Sequence, residues 1–139
     1  MKALLLFFAS VLLFLPSACS SKSPEEKVRE VIDACQKAAK EHKPAGVMEN
    51  IAQDFRDHGG NRRDTLKAIL LREMMANRNL GIYITTNQIK VSGAEATADL
   101  KVVVTGSSGL IPERMDGMKI NLKLRDKDGK WEIYFAEWH

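Results

Sequence analysis

Two cysteines in 139 residues, Cys19 and Cys35, are too few for a disulfide scaffold, so each must be read in its own surroundings. The sequence has no internal repeat, no sustained heptad pattern and no low-complexity tract. A dominant charge sign is missing too. A formal net charge of +3, spread evenly along the chain, gives no argument for a nucleic-acid partner. No apolar run approaches the roughly 20 residues of a bilayer-spanning helix. What is left, at 45% hydrophobic and 28% charged, is one ordinary globular domain with room for a single core.

Lys2 is followed by an apolar run from Ala3 to Leu15, in which Ser10 is the one polar residue, and then by Pro16-Ser17-Ala18-Cys19. That length and order match the h-region and cleavage region of an export signal. The small residues before Cys19 resemble a bacterial lipobox, which implies cleavage after Ala18 and acylation of Cys19; Pro16 departs from the pattern, which prefers Leu, Val or Ile there. Ordinary signal-peptidase cleavage is the alternative, and Pro16 at −3 fits that poorly as well. The expected layout is a signal peptide over 1–18, a lipidated Cys19 with a short tether to Ser23, and a domain over 24–139, held at the membrane through Cys19. Ser20 follows the cysteine, where an Asp would be the inner-membrane retention signal, so the resemblance implies the outer membrane, facing the periplasm.

Ser23-Pro24-Glu25-Glu26 is a capping box with proline at the first helical position. Val28, Val31, Ile32, Cys35, Ala39 and His42 then recur at helical spacing. Cys35 on that stripe reads as a small core hydrophobe, since nothing beside it in sequence would lower its pKa. Lys43-Pro44 ends the helix. A second helix is predicted from Pro44 to about Asp54, with Val47, Met48 and Ile51 inward and Phe55 as a plug. After His58-Gly59-Gly60, Asn61 and Asp64 mark a third helix, with Leu66, Ile69, Leu70 and Met74 as its apolar stripe, ending near Arg78. Arg62, Arg63, Lys67, Arg72 and Arg78 make it basic, which suits a solvated face or anionic lipid head groups. The spacing of Asp54, Asp57 and His58 matches no recognised metal site.

The second half alternates with a period of two. Residues 80–91 and 96–105 form one hairpin around Ser92-Gly93-Ala94; Met118 to Arg125 and Trp131 to Trp138 form another around Asp128-Gly129. A two-residue loop at Asp128-Gly129 sets Leu124 against Ile133, Leu122 against Phe135 and Arg125 against Glu132; a four-residue loop from Asp126 keeps the faces and slides the pairs. With Gly93-Ala94 as the other loop, strict alternation puts Tyr83, Thr85 and Asn87 on the apolar face, together with Glu137, which pairs near Ile120. The segment from Gly106 to Gly117 displays Leu110 and Ile111, suited to a cavity mouth, a partner or the domain's own core.

The expected architecture is thus α+β, with three N-terminal helices packed on a curved four-stranded antiparallel meander. Asp54-Phe55-Arg56-Asp57 before Gly59-Gly60, the helix from Arg63 to Met74, Ile89 to Ala96, and Leu122-Lys123-Leu124-Arg125 through Gly129-Lys130-Trp131 to Ala136-Glu137-Trp138 resemble the nuclear transport factor 2-like superfamily. That superfamily also contains ketosteroid isomerase and the polyketide cyclases related to SnoaL. The resemblance covers the whole domain and lies in fold-level motifs. It implies a cone whose mouth admits a small apolar ligand, and a homodimer through the outer sheet face.

Enzymes of this kind hold an acid or base inside the cone. The inward parity offers Glu137 as a base of raised pKa and Tyr83 as a donor, with Thr85 and Asn87 beside them as ligand-binding candidates. A strand end that twists into solvent is the simpler reading of Glu137, and no catalytic constellation of the known enzymes maps onto numbered positions. A binding or assembly role in the envelope therefore leads, without cofactor or metal. An isomerase or cyclase is the alternative. Tyr134, Trp138 and Arg125 are the expected interface residues on the outer face.

Overall fold

The computed structural model describes residues 20–79, 81–105 and 117–139. Cys19 and the signal segment, Leu110 and Ile111 lie outside them. The first helix, α1 (Pro24–Lys40), begins where the capping box places it: the Ser23 hydroxyl accepts the Glu26 N–H, and the Glu26 carboxylate accepts the Ser23 N–H at 2.7 Å. Its inward stripe buries Val28 and Ile32 completely or nearly so, with Ala38 and Ala39 at the far end.

The second helix is shorter than its spacing predicts. α2 (Pro44–Met48) stops where the Asn50 side-chain amide donates back to the Gly46 carbonyl at 3.0 Å, and the chain leaves as a strand, β1 (Ile51–Asp57). Periodicity alone could not separate the two outcomes over so short an apolar run. The strand wins because its backbone finds a partner: Asn50 C=O accepts the Ile133 N–H at 2.9 Å and Ala136 C=O accepts the His58 N–H at 3.0 Å, closing an edge that would otherwise stay unpaired. Val47, Met48 and Ile51 are buried as expected, and Phe55, 2% exposed, is a core residue of β1.

α3 (Arg63–Ala76) starts without the side-chain cap that Asn61 and Asp64 suggest. Asn61 is turned the other way. Its side-chain and backbone N–H groups both donate to the Asp57 carboxylate at 2.8 Å, fastening the Gly59-Gly60 turn to the end of β1. Arg63 anchors the first turn instead, donating to the carbonyls of Met48 at 2.9 Å and Ile51 at 3.3 Å.

The remaining strands are β2 (Gly81–Ser92), β3 (Glu95–Thr105), β4 (Met118–Lys127) and β5 (Lys130–Trp138), and the sheet has five strands in the order β1-β5-β4-β3-β2 rather than four. β1 runs parallel to β5 and the other neighbours are antiparallel. Both hairpins close on two residues. Asp128 and Gly129 have φ of 54° and 86°, which identifies a type I′ turn and rejects the four-residue alternative. Gly93, at φ 59°, opens the other.

Each hairpin then breaks its alternation once. β2 carries a bulge between Thr86 and Gln88, and β5 one between Ile133 and Phe135. One extra residue reverses the faces of everything beyond it and increases the local twist and bend, which curves the sheet around the helices. Leu124 faces Ile133 and Arg125 faces Glu132 as expected, but Leu122 faces Ala136, and Phe135 is turned to the outer face against Lys123.

Candidate functional site

Cross-strand register arranges the concave face in rows. Next to the turns lie Val91, Ala96, Leu124 and Ile133, then Ile89, Ala98, Leu122 and Ala136. Here the β3, β4 and β5 side chains are 8% exposed or less, and Val28, Ile32 and Phe55 cover them. Beyond the bulges come Thr86, Leu100, Ile120 and Trp138, then Ile84 with Val102 and Met118, then Ile82 with Val104. Only Leu100 and Val102 of these are buried; the rest are half-open, as are Leu66 and Leu70, the α3 side chains that pack against the same core. These half-open side chains pack against the core and leave an apolar surface, the trough, at one end of it.

Its chemistry is sparse. Thr86 brings a hydroxyl and Trp138 an indole, whose ring meets His58 edge-on at 5.0 Å. Cys35, from α1, joins the trough end of the main core to the smaller cluster of Ala38, Ala39, Val47 and Met74. Burial pushes its thiol up to about 12, so it stays protonated and unreactive at neutral pH. Asp57 is the acid on the inner side of the sheet, 5% exposed. Burial alone would raise its pKa, but the bonds from Asn61 and the Gly59 N–H outweigh it and hold the carboxyl below the usual range. A carboxylate so occupied is a structural clamp rather than a free base.

A second polar group closes the helical end. Glu73, 9% exposed, accepts from the Arg72 guanidinium at 3.2 Å and from the Asn77 side chain at 3.4 Å, while the Asn77 carbonyl meets the His42 ring at 3.0 Å. His42 adopts φ 55° to make this contact. The network ties the C-terminal ends of α1 and α3 together beside Met74. Sequence reasoning missed Glu73 and Asn77, because polar residues at one spacing on a basic helix look like a solvated face.

The bulges also relocate the residues that strict alternation sent inward. Tyr83 pairs with Val103, is 56% exposed and lies under the Lys40 ammonium at 4.9 Å. Thr85 pairs with Lys101, and both it and Asn87, at the bulge, are exposed. Ile82, Ile84 and Thr86 occupy the inner positions instead. Glu137 pairs with Asn121 on the outer face, its carboxylate 3.7 Å from His139. It is Trp138 that pairs with Ile120 and packs against the core, so Trp138 is not an outer-face residue.

Tyr134 and Arg125 do share the outer side, the guanidinium 5.4 Å from the ring. Arg125 bridges Asp54, at 2.9 Å on one nitrogen, and Glu132, at 2.8 Å on another. Hydrogen bonding to both carboxylates holds its own pKa up and draws that of Asp54 down. Asp54, Asp57 and His58 therefore do not converge on a common point: one acid answers to Arg125, the other to Asn61.

The sequence matches no protein-family model and no curated protein. Solved structures do match. A candidate scytalone dehydratase from Novosphingobium aromaticivorans aligns over 82% of this chain and 81% of its own, at 17% identity and a TM-score of 0.69. A domain of unknown function with a cystatin-like fold from Nostoc punctiforme aligns over 85% and 78%, at 12% identity and a TM-score of 0.68. A nuclear transport factor 2-like protein of unknown function from Pseudomonas putida aligns over 82% and 84%, at 16% identity and a TM-score of 0.62. Enzymes and proteins without known activity share this architecture, and at such identities the likeness speaks for the fold alone. Helices on a bulged, curved five-stranded sheet give this chain a nuclear transport factor 2-like, cystatin-like α+β fold.

Proposed function

We propose that this chain is an exported, lipid-anchored binding module of the cell envelope that holds an apolar molecule or segment in the trough and performs no chemistry on it. One observation carries the binding half: beyond the bulges the inner positions are aliphatic, with Thr86 and Trp138, whereas Tyr83 and Glu137 point away. Acid-base catalysis needs a titratable group within hydrogen-bond reach of the reacting proton. Among the described inner-face residues the acid is Asp57, which Asn61 already occupies.

The envelope half rests on residues 2–19 of the sequence. Lys2, the apolar run and Ala18-Cys19 supply the export and acylation signals, and Ser20 is compatible with transfer to the outer membrane. Partner docking through the outer face, around Tyr134 and Arg125, is part of the same proposal.

Two experiments test it. Native mass spectrometry of the protein purified gently from its own host should show an added small-molecule mass, and Ile84→Asp should remove that mass. Metabolic labelling with an alkyne fatty acid should mark the wild type and leave Cys19→Ser unmarked and shed from the membrane fraction. A clean apo mass would overturn the binding half, and an unlabelled wild type the anchor.

A further inference from the structure

α3 is apolar on both sides. Its inner side uses Leu66, Leu70 and Met74, and yet Ile69, Leu71 and Met75 are 37%, 39% and 77% exposed. Ala68, Leu71 and Met75 follow one another at three- and four-residue steps, so they form a single outward stripe. The charges bordering it are basic, apart from Asp64, which heads the stripe one turn before Ala68. Lys67 and Arg72 flank the stripe, Arg62 and Arg78 stand at its ends, and Asp64 is the exposed acid in this segment, since Glu73 is buried under Arg72. An outward apolar stripe edged with long basic side chains is the composition of a helix lying in a membrane interface, where stems bury among acyl chains and charges reach the head groups.

The helix also begins at the corner where the N-terminal end of the domain sits. Arg63 holds the carbonyls of Met48 and Ile51, Lys130 holds the neighbouring carbonyl of Glu49 at 3.1 Å, and Lys22 and Lys27 border a depression of about 350 Å³ with Asn50 and Lys130. Lys22 is paired with Glu30, which lines the same depression, and Glu25 and Glu26 make the first turn of α1 acidic, so the basic edge is that of α3 alone. We propose that the outward face of α3 docks on an anionic phospholipid bilayer. Neither acylation of Cys19 nor occupation of the trough is needed for this contact.

The test uses residues 20–139 without lipid, since both core clusters lie between Val28 and Trp138. The chain is spun with vesicles of phosphatidylglycerol and phosphatidylethanolamine, and with vesicles of pure phosphatidylcholine. Binding to the first, little to the second, and loss on raising salt are expected. Leu71→Ser with Met75→Ser should raise the lipid concentration for half-binding at least tenfold, and Lys67→Gln with Arg78→Gln by a similar factor. All four side chains are solvent-facing, and unchanged far-ultraviolet circular dichroism checks the fold. Equal binding by wild type and both variants, or no binding by the wild type, overturns the proposal. So does a wild-type dimer that the Leu71/Met75 variant loses while vesicles stay unbound, which would assign the stripe to a second copy.

Discussion

The sheet has two halves that share strands but not surroundings. In the half next to the two turns, Leu124, Ala96, Ala98 and Ile133 are at most 4% exposed, and Val28, Ile32 and Phe55 fill the space above them. In the half beyond the bulges, Ile82, Ile84, Ile120 and Trp138 are apolar and half-open. The turn half is packed like any core and holds the domain together. The far half is kept apolar without being closed, which costs stability and is useful only where something else covers the surface.

This contrast can be broken at several points. Deleting Asn87 removes the extra residue of β2 and forces Tyr83 and Thr85 inward while Ile82 and Ile84 turn out. The loss should exceed about 4 kcal/mol and leave the domain unfolded or molten by urea titration and near-ultraviolet circular dichroism. Leu124→Ala, at a site with 0% exposure, should cost about 3 kcal/mol, and Ile84→Ala less than half of that. Equal costs would mean that the trough is as closed as the core.

Asn61→Ala should cost about 1–2 kcal/mol by stripping the Asp57 carboxylate of its partner. Asp57 titrates below its ordinary range in the folded protein, so the stability it contributes is present above the unfolded carboxyl pKa, about 3.9, and is lost as the pH falls through the lower folded value. The gap between wild type and Asn61→Ala should therefore hold at pH 7 and narrow in acid below about pH 4. A gap that widens there would reverse the assignment. The smallest effect belongs to Tyr83→Ala, under about 0.5 kcal/mol, because the ring lies on the exposed side of an edge strand.

The same division explains what the sequence could disclose. Asp128-Gly129 and Gly93-Ala94 fix the register beside them, so the pairs Leu124 with Ile133, Arg125 with Glu132, Val91 with Ala96 and Ile89 with Ala98 follow from alternation alone. Farther out, alternation misassigns Tyr83, Thr85, Glu137 and Trp138, because a bulge inverts every later face without altering composition. A trace was nevertheless present. In β2 the bulky aliphatics occupy even numbers at Ile82 and Ile84 and odd numbers at Ile89 and Val91. No strand of strict period two can change parity, so the change itself demands an extra residue between. β5 carries no such trace, because Trp131, Ile133 and Phe135 all keep odd numbers although Phe135 faces outward. β1 left little trace: seven residues after a short proline-started helix suit either a longer helix or a strand, and only the unpaired edge of β5 decides. Glu73 and Asn77 became visible as a buried pair only once α1 and α3 were brought together.

The most direct measurement is a fluorescence titration with the neutral apolar probe N-phenyl-1-naphthylamine on wild type, Ile84→Asp and Tyr83→Asp. The two positions are adjacent in one strand and face opposite sides. The trough predicts saturable binding by wild type, at least tenfold weaker binding by Ile84→Asp and unchanged binding by Tyr83→Asp. Equal affinities, or a loss confined to Tyr83→Asp, would contradict it.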